Sequence, residues 1–361
     1  MRALERRFKR AAVRLTGGLS SGRKLDLSSI DLGSIKRILL VKQHDQLGDF
    51  LLFTPVLPAV RRRFPSAQIV LCTRGYTKEL AWGDPLLDGV LVVEERLNHW
   101  RVRGIRDALV HLAQGFDLAV IFNTISHSFT SDLVPLLGRA RYRLGPSEPH
   151  FPDFESNAFY NIEVALPGDR VHMSDRCLAI VEPLGVPIDD PRERMYVDRV
   201  WNSRASAVIE RWGIGDGDLT IAVHPGGARN YTRWPTERYA LLGDRLCGVD
   251  GAKVVIVVGK NETWGEQVAE RMNKPPIMCR ITNLKLLAAI LKRVTVYVGN
   301  DTGLLHVASA VGTRSVGIYG ETDPAVWKPK GSHVVSVRAG DGDIGSVELE
   351  GVYAAVKGML Q

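Results

Sequence analysis

The spacing of apolar residues divides the first half of the chain into alternating strands and helices. Short, nearly continuous apolar runs are typical of strands buried on both faces of a parallel sheet, and here they alternate with helix-like stretches. Strands are predicted at 35–41, 68–72, 89–93 and 117–122. Helices are predicted from the loop after residue 41 to residue 64, and at 77–81, 101–114 and 128–137.

The same alternation begins again in the second half. Residues 146–170 are rich in Pro, Gly and aromatic residues, without a clear period, so we interpret them as an irregular connection. Strands follow at 219–223, 253–258, 294–298 and 315–318, and helices at 237–246, 262–272, 284–292 and 303–310. The pattern predicts an α/β protein with two Rossmann-like domains facing a central cleft. The predicted parts are an arm and linker at 1–34, a first domain at 35–165 and a second domain at 166–361.

Length and composition agree with this organisation. A chain of 361 residues suits two domains of roughly 150 residues each. Its 45% hydrophobic and 24% charged residues are typical of a soluble globular protein. No apolar run approaches the roughly 18 residues that a membrane span needs.

The excess positive charge lies in the first 24 residues. They hold eight basic residues and one acid, which leaves 39 basic and 39 acidic residues in the rest of the chain. A body that is neutral in sum argues against general nucleic-acid binding. On a helical wheel Leu4, Phe8 and Leu15 share one side with two alanines, while most of the basic residues spread over the other. This arm is predicted either to bind an anionic membrane surface or to be a solvated tail.

Cysteine spacing gives no sign of metal binding. Cys72, Cys177, Cys247 and Cys279 form no CxxC pair, so reduced thiols in a cytoplasmic protein are expected. A secretory signal is not expected, because no continuous apolar region follows the first charges.

The loop after the predicted strand 294–298 has the composition of a diphosphate site. In parallel sheets ligands bind at the carboxyl ends of strands, and here a helix begins at that point. Asp301 or Thr302 is placed to cap the helix, Gly303 lets an anion approach the backbone, and the helix dipole favours negative charge. His306 follows one turn later and is within reach of the same ligand. The alternatives are plain capping and a structural histidine.

Two further loops in the second half carry candidate contacts to a nucleotide diphosphate. The loop 224–235 combines glycines with arginines suited to phosphate oxygens, although turns of this composition are also routine. After the next strand, Glu262 is placed to bind a ribose hydroxyl pair, or is only an exposed acid at a helix start. The residues of these two loops that we expect to contact the nucleotide diphosphate of the donor substrate are His224, Gly226, Gly227, Arg229, Thr232, Arg233 and Glu262.

The first half offers candidate bases in the loop 43–49. Transfer of a group to an alcohol needs a general base, and a carboxylate is basic enough when the hydroxyl proton leaves late in the reaction. Asp49 is our candidate, with Asp45 and His44 as rivals. Capping of the following helix is the alternative role for Asp49.

Taken together, these loops resemble the heptosyltransferase family, glycosyltransferase family nine. The matching elements are Leu47-Gly48-Asp49, His224-Pro225-Gly226, Arg233-Trp234-Pro235 and Asp301-Thr302-Gly303 with His306-Val307-Ala308, within residues 35 to about 330. The resemblance implies a GT-B fold and an inverting transfer from ADP-heptose that requires no cofactor and no metal.

The resemblance also implies roles for single residues. Asp49 would be the base, Asp301 would contact the donor sugar, and Thr302 with Gly303 would hold the phosphates. Glu262 would bind the ribose. Two departures concern the donor and the acceptor: Thr232 stands where the family often has Lys, and His44-Asp45-Gln46 stands where it often has Ser-Ser.

The acceptor implied by the resemblance is an acidic, lipid-linked saccharide of the lipopolysaccharide type at the cytoplasmic face of the inner membrane. Arginines suit its carboxylates and phosphates, and a cluster of them lies at 96–106. We expect Arg101, Arg103 and Arg106 to bind it, with a solvated helix start as the alternative. The basic arm would add attraction to anionic lipid.

Two other functions fit much of the same pattern. One is a GT-B transferase that uses another ADP- or UDP-sugar. The other is a non-catalytic, membrane-associated glycan- or nucleotide-binding relative, for which Thr232 in place of Lys would be the sign. A nicotinamide dehydrogenase is not favoured, because no GxGxxG follows the first strand.

Overall fold

The computed structural model describes residues 24–43, 46–93, 102–125, 128–149, 157, 159–227, 229–259 and 262–361. It contains two compact units. The described residues before Gln46 and those of Phe53–Pro191 belong to the first unit. Gln46–Leu52 and Arg192–Gln361 form the second.

The first unit is built on a six-stranded parallel sheet. Its strands are β1 (Arg37–Val41), β2 (Gln68–Thr73), β3 (Gly89–Val92), β4 (Leu118–Ile121), β5 (Tyr142–Pro146) and β6 (Ile162–Val164), in the order β3-β2-β1-β4-β5-β6. The side chains of Ile38 to Val41 are at most 1% exposed. Burial on both faces is why this strand reads as an uninterrupted apolar run.

In the described part of the chain up to Pro191 there are six α-helices, of which the first groups largely with the second unit and the others belong to the first. They are α1 (Leu47–Phe53), α2 (Val56–Arg63), α3 (Lys78–Ala81), α4 (Val102–Ala113), α5 (Phe129–Leu137) and α6 (Met173–Val181). The predicted helical stretch to residue 64 is therefore two helices, divided at Thr54-Pro55. A proline lacks the N–H that a continuous helix needs, and it disfavours helical geometry at the residue before it. Part of the stretch 146–170, predicted as irregular, pairs as β6 beside β5.

The second unit has its own six-stranded parallel sheet. Its strands are β7 (Thr220–His224), β8 (Lys253–Val257), β9 (Ile277–Cys279), β10 (Val296–Asn300), β11 (Arg314–Tyr319) and β12 (Val334–Arg338), in the order β12-β11-β10-β7-β8-β9. Its helices are α7 (Arg199–Arg211), α8 (Thr236–Val249), α9 (Trp264–Arg271), α10 (Leu284–Leu291), α11 (Gly303–Ala310), α12 (Pro324–Trp327) and α13 (Leu349–Leu360). Strands β9 and β12 and helices α7, α12 and α13 were not predicted.

The boundary between the units differs from the predicted one near residue 165. The first unit extends to Pro191, because α6 packs against α2 and β5. Residues 46–52 group with the second unit, since Leu47 and Gly48 lie against α11. At the start of the described residues of the predicted linker, the Lys24 ammonium donates to the carbonyls of Asn157 (2.7 Å) and Tyr160 (2.9 Å) in the first unit.

The strand order of the second sheet determines where a ligand site is expected. The chain runs from β7 outward to β8 and β9, and then returns to the other side of β7 as β10. The carboxyl ends of β7 and β10 therefore flank a topological switch point, where open α/β sheets bind their ligands. None of the helices in the described part of the chain combines the length and apolar character that a bilayer crossing requires.

Candidate functional site

The switch point brings two of the predicted donor loops side by side. Gly299 of β10 pairs in register with His224 of β7. The loop 225–235 and the segment Asp301-Thr302-Gly303 consequently leave the sheet at neighbouring positions. The sequence had placed each loop after a strand but carried no information that these two strands are adjacent.

Asn300, the last residue of β10, holds the neighbouring loop in place. Its side chain is fully buried, and its Nδ2 donates to the carbonyls of Pro225 (3.0 Å) and Gly226 (2.9 Å). Its Oδ1 accepts from the Trp234 backbone N–H (3.1 Å) and from the Tyr239 hydroxyl (2.9 Å). A buried amide with both ends bonded specifies one conformation of the loop. The sequence reasoning missed Asn300, whose only signal was its position directly before Asp301.

Glu262 lies against the start of the same loop. Its Oε2 is 3.4 Å from His224 Nε2 and accepts the Gly259 N–H at 3.0 Å. These interactions lower the pKa of Glu262, with the His224 hydrogen bond the largest cause, against the opposing effect of burial. A Cβ on Gly226 or Gly259 would lie 2.5 Å from this carboxylate, so a side chain at either position would displace it. The result is an ionised carboxylate that is still 30% exposed at the edge of the loop.

The two arginines of the loop already bond within it. The Arg233 guanidinium donates to the Gly227 carbonyl at 2.7 Å and stacks on the Trp264 ring at 3.8 Å. Arg229 donates to the Tyr231 hydroxyl. Thr232, where the family often has Lys, donates its hydroxyl hydrogen to the Arg229 carbonyl (2.8 Å), which closes a turn. Positive charge near this loop therefore comes from the arginines and not from position 232.

The start of α11 retains unused hydrogen-bonding capacity. Thr302 has the backbone geometry of an N-cap, but its side chain makes no capping hydrogen bond. Its Oγ1 is buried near the Tyr297 hydroxyl and makes no hydrogen bond of standard geometry within the described residues. The first N–H groups of a helix also lack partners within the helix. The segment therefore has the properties of an anion site, and plain capping by Thr302 does not describe it.

Gly303 has a packing role that the sequence did not predict. The position that a Cβ would take at Gly303 lies 2.7 Å from the Cβ of Leu47 and 3.4 Å from the Gly48 backbone nitrogen. Glycine at this position thus permits the close approach of residues 46–52 to α11. Phosphate binding by Gly303 stays a prediction.

Asp49 lies in the first turn of α1, among the residues that group with the second unit. Its Oδ2 accepts the Gln46 backbone N–H at 3.2 Å, so the capping role that the sequence offered as an alternative is present. Capping engages only part of a carboxylate, which has about four acceptor positions. Its rivals His44 and Asp45 lie outside the described residues.

His306 is buried and faces three carboxylates. Its Nδ1 lies 2.9 Å from Glu193 Oε1. Burial disfavours the charged imidazolium, but Glu193, Asp301 and Asp49 outweigh it and raise the pKa of His306. Burial also raises the pKa of Asp301, against the opposing effects of His306 and a Thr322 hydrogen bond. The sequence reasoning missed Glu193, because it lies far from His306 in the chain and in no periodic segment.

The arginine cluster predicted to bind the acceptor lies mostly outside the described residues. Arg101 lies outside the described residues, as do the side chains of Arg103 and Arg106, although the backbone of the latter two belongs to α4. The basic arm before residue 24 lies outside as well. Within the described part of the chain, no three His, Cys, Asp or Glu side chains group so as to hold a metal ion.

The two parallel sheets define an α/β protein whose candidate site lies at the carboxyl ends of β7 and β10. Two solved structures show which fold this is. A family 9 glycosyl transferase from Veillonella parvula DSM 2008 superimposes with a TM-score of 0.79 at 23% identity, over 90% of this chain and 97% of that one. The E. coli heptosyltransferase WaaC with ADP does so with a TM-score of 0.70 at 18% identity, over 90% and 99%. The fold is GT-B.

Sequence comparison identifies the family. The family model described as glycosyltransferase family 9 (heptosyltransferase) matches residues 112–348. Lipopolysaccharide heptosyltransferase 3 of Escherichia coli is 24% identical over 304 residues, which cover 81% of this chain and 86% of that protein. The chain belongs to glycosyltransferase family 9 and is a glycosyltransferase, as the motifs predicted.

Proposed function

We propose that this protein transfers a heptose from ADP-heptose to the saccharide of a lipopolysaccharide core, with inversion at the anomeric carbon and without a metal. The observation that carries the proposal is the start of α11 at the switch point, where the buried Thr302 hydroxyl makes no capping hydrogen bond. A diphosphate supplies oxygens for both this hydroxyl and the first helical N–H groups. A related fold, WaaC of E. coli, has been solved with ADP.

The donor site is proposed to extend along the loop that Asn300 holds. Arg233 and Arg229 provide positive charge near the phosphates, since a guanidinium that bonds a carbonyl still has further N–H donors. Glu262, ionised and partly exposed, accepts hydrogen bonds from the ribose hydroxyls. Asp301, at the start of α11, bonds a hydroxyl of the sugar.

The transfer step is proposed to use Asp49 as general base. The acceptor oxygen attacks the anomeric carbon and forms the new glycosidic bond, while its proton passes to the Asp49 carboxylate. The bond between the anomeric carbon and the diphosphate oxygen breaks, and its electron pair leaves with ADP. Helix N–H groups and arginines stabilise the charge that develops on the leaving group, so no metal is required.

The acceptor is proposed to be the acidic saccharide of a lipopolysaccharide, bound through Arg101, Arg103 and Arg106. The relative from E. coli is named for lipopolysaccharide. Attachment of the basic arm to anionic lipid would bring the enzyme to such an acceptor at the cytoplasmic face of the inner membrane.

A donor panel with a matched acceptor tests the proposal. Purified protein is incubated with ADP-heptose, ADP-glucose, UDP-glucose or UDP-N-acetylglucosamine, and with deacylated lipopolysaccharide core. Release of nucleoside diphosphate and the product mass are measured. We expect acceptor-dependent turnover with ADP-heptose, and stabilisation of the protein by about 2.7 kcal/mol when ADP is present at about 100 times its dissociation constant. Turnover with a UDP-sugar and not with ADP-heptose would show that the donor is a UDP-sugar. Binding of a sugar nucleotide without turnover of any of them would favour the non-catalytic alternative.

A further inference from the structure

The pair of Glu193 and His306 has no task in the donor and acceptor contacts proposed above. The Glu193 side chain is fully inaccessible to solvent, and His306 is 4% exposed. Burying two ionisable groups costs free energy even when they are paired. We therefore expect this buried pair to have a function. Oε1 of Glu193 is bonded to the imidazole, while its Oε2 is buried without a hydrogen-bond partner among the described residues.

The opposite edge of the imidazole ring faces the segment that contains Asp49. A Cβ on Gly48 would lie 2.9 Å from Cδ2 and 3.1 Å from Nε2 of His306. Only glycine lets the backbone of α1 approach the ring so closely. Since Asp49 is the next residue, the orientation of the ring and the position of the proposed base depend on the same contact.

The hydrogen bond to Glu193 determines which nitrogen faces Asp49. A carboxylate accepts the Nδ1–H and leaves Nε2 for the other side. The same partner fixes the plane of the ring, as carboxylates commonly do for functional histidines. Glu193 itself lies near Lys328, which is half-buried and donates to the carbonyls of Pro329 and Val334.

We propose that Glu193 is a positioning residue for the transfer reaction: it binds Nδ1–H of His306 and holds the Nε2 edge against Gly48, beside Asp49. This proposal rests on the proposed function, because it assigns the pair to the reaction that Asp49 serves. The imidazolium so held places one positive charge among the carboxylates of Glu193, Asp301 and Asp49. Glu193 does not touch the substrate.

Titration of His306 tests, without any substrate, whether Glu193 controls the His306 ring. His306 is one of nine histidines, and its NMR signal in histidine-labelled full-length protein is assigned with His306→Gln. In Glu193→Gln the ring loses its nearest carboxylate, and we expect the midpoint of its titration to move down by roughly one pH unit or more. Glu350→Gln makes the same change at an exposed carboxylate that pairs with Arg245, and it should leave the midpoint in place.

A double-mutant cycle tests whether Glu193 affects the transfer reaction through His306. If Glu193 acts through His306, Glu193→Gln lowers kcat by roughly 10–100-fold, as loss of an orienting partner does, and leaves the affinity for ADP unchanged. The alkaline limit of the pH–rate profile should move down together with the His306 midpoint. In a His306→Gln background the same change at Glu193 should have little further effect, because residues that act as one unit are not additive.

The outcomes separate this proposal from the proposed function. An unmoved His306 midpoint in Glu193→Gln, or an equal loss of kcat in both backgrounds, would overturn the positioning role. Circular dichroism and ADP affinity identify a variant that fails to fold. If His306→Gln fails to fold, His306→Asn replaces it in the cycle. If no sugar nucleotide is turned over by the wild type, the proposed function fails while the titration still decides whether Glu193 controls the ring.

Discussion

Replacing Asn300 by aspartate should weaken both the second unit and its binding of ADP. The two side chains have nearly the same shape, so the Oδ1 bonds to Trp234 and Tyr239 can persist. The change replaces the Nδ2 donor by an oxygen that faces the carbonyls of Pro225 and Gly226. Two carbonyls lose their donor, and an acceptor is buried against acceptors.

The structure gives a magnitude for Asn300→Asp. Each buried polar group left unsatisfied costs about 1–3 kcal/mol, so two carbonyls predict a loss of about 2–6 kcal/mol in the free energy of unfolding. Because the lost bonds hold the loop that carries Arg229 and Arg233, we also expect the affinity for ADP to fall by about tenfold or more, equivalent to about 1.4 kcal/mol.

Urea unfolding and calorimetric titration with ADP measure the two effects. Asn283→Asp is the matched control, because Asn283 caps α10 through its Oδ1 and aspartate caps helices equally well. The control should match the wild type within about 0.5 kcal/mol, as surface substitutions do. If Asn300→Asp also stays within that range and binds ADP normally, Asn300 does not organise the site.

Four further predictions follow from the proposed site. Asp49→Asn should lower turnover by about 10²–10⁴-fold with nearly unchanged donor affinity, and near-normal turnover would remove Asp49 as the base. Thr302→Val and Arg233→Ala should each weaken ADP binding by about 1.5–3 kcal/mol in calorimetry, and unchanged affinity in both would mean that the diphosphate lies elsewhere. Activity should survive excess chelator, whereas full loss that magnesium restores would contradict the metal-free mechanism. Deleting residues 2–23, which keeps Lys24 and its contacts, should reduce binding to anionic vesicles and spare turnover on a deacylated acceptor; undiminished vesicle binding would make the arm a solvated tail.

The sequence by itself determined the local elements and the order of the loops. Strands such as β1 and β8 are buried on both faces over four successive residues, so each appears as an uninterrupted apolar run that can be recognised without knowledge of its neighbours. Short strands such as β6 and β9, with three residues each, carry too little pattern to be recognised. The family and the GT-B fold could be inferred because the motifs are local and occur in a specific order.

Only the tertiary structure decided which of these pieces meet. Periodicity records which side of an element is apolar, and it contains nothing about strand order or about partners far away in the chain. Asn300 bonds the loop after β7 because β10 lies beside that strand, and Glu193 meets His306 113 residues away. Residues 46–52 pack with the second unit for the same kind of reason: glycines at 48 and 303 permit an approach that the local sequence does not reveal. Long-range hydrogen bonds and close packing depend on the assembled fold, and these interactions position the candidate site.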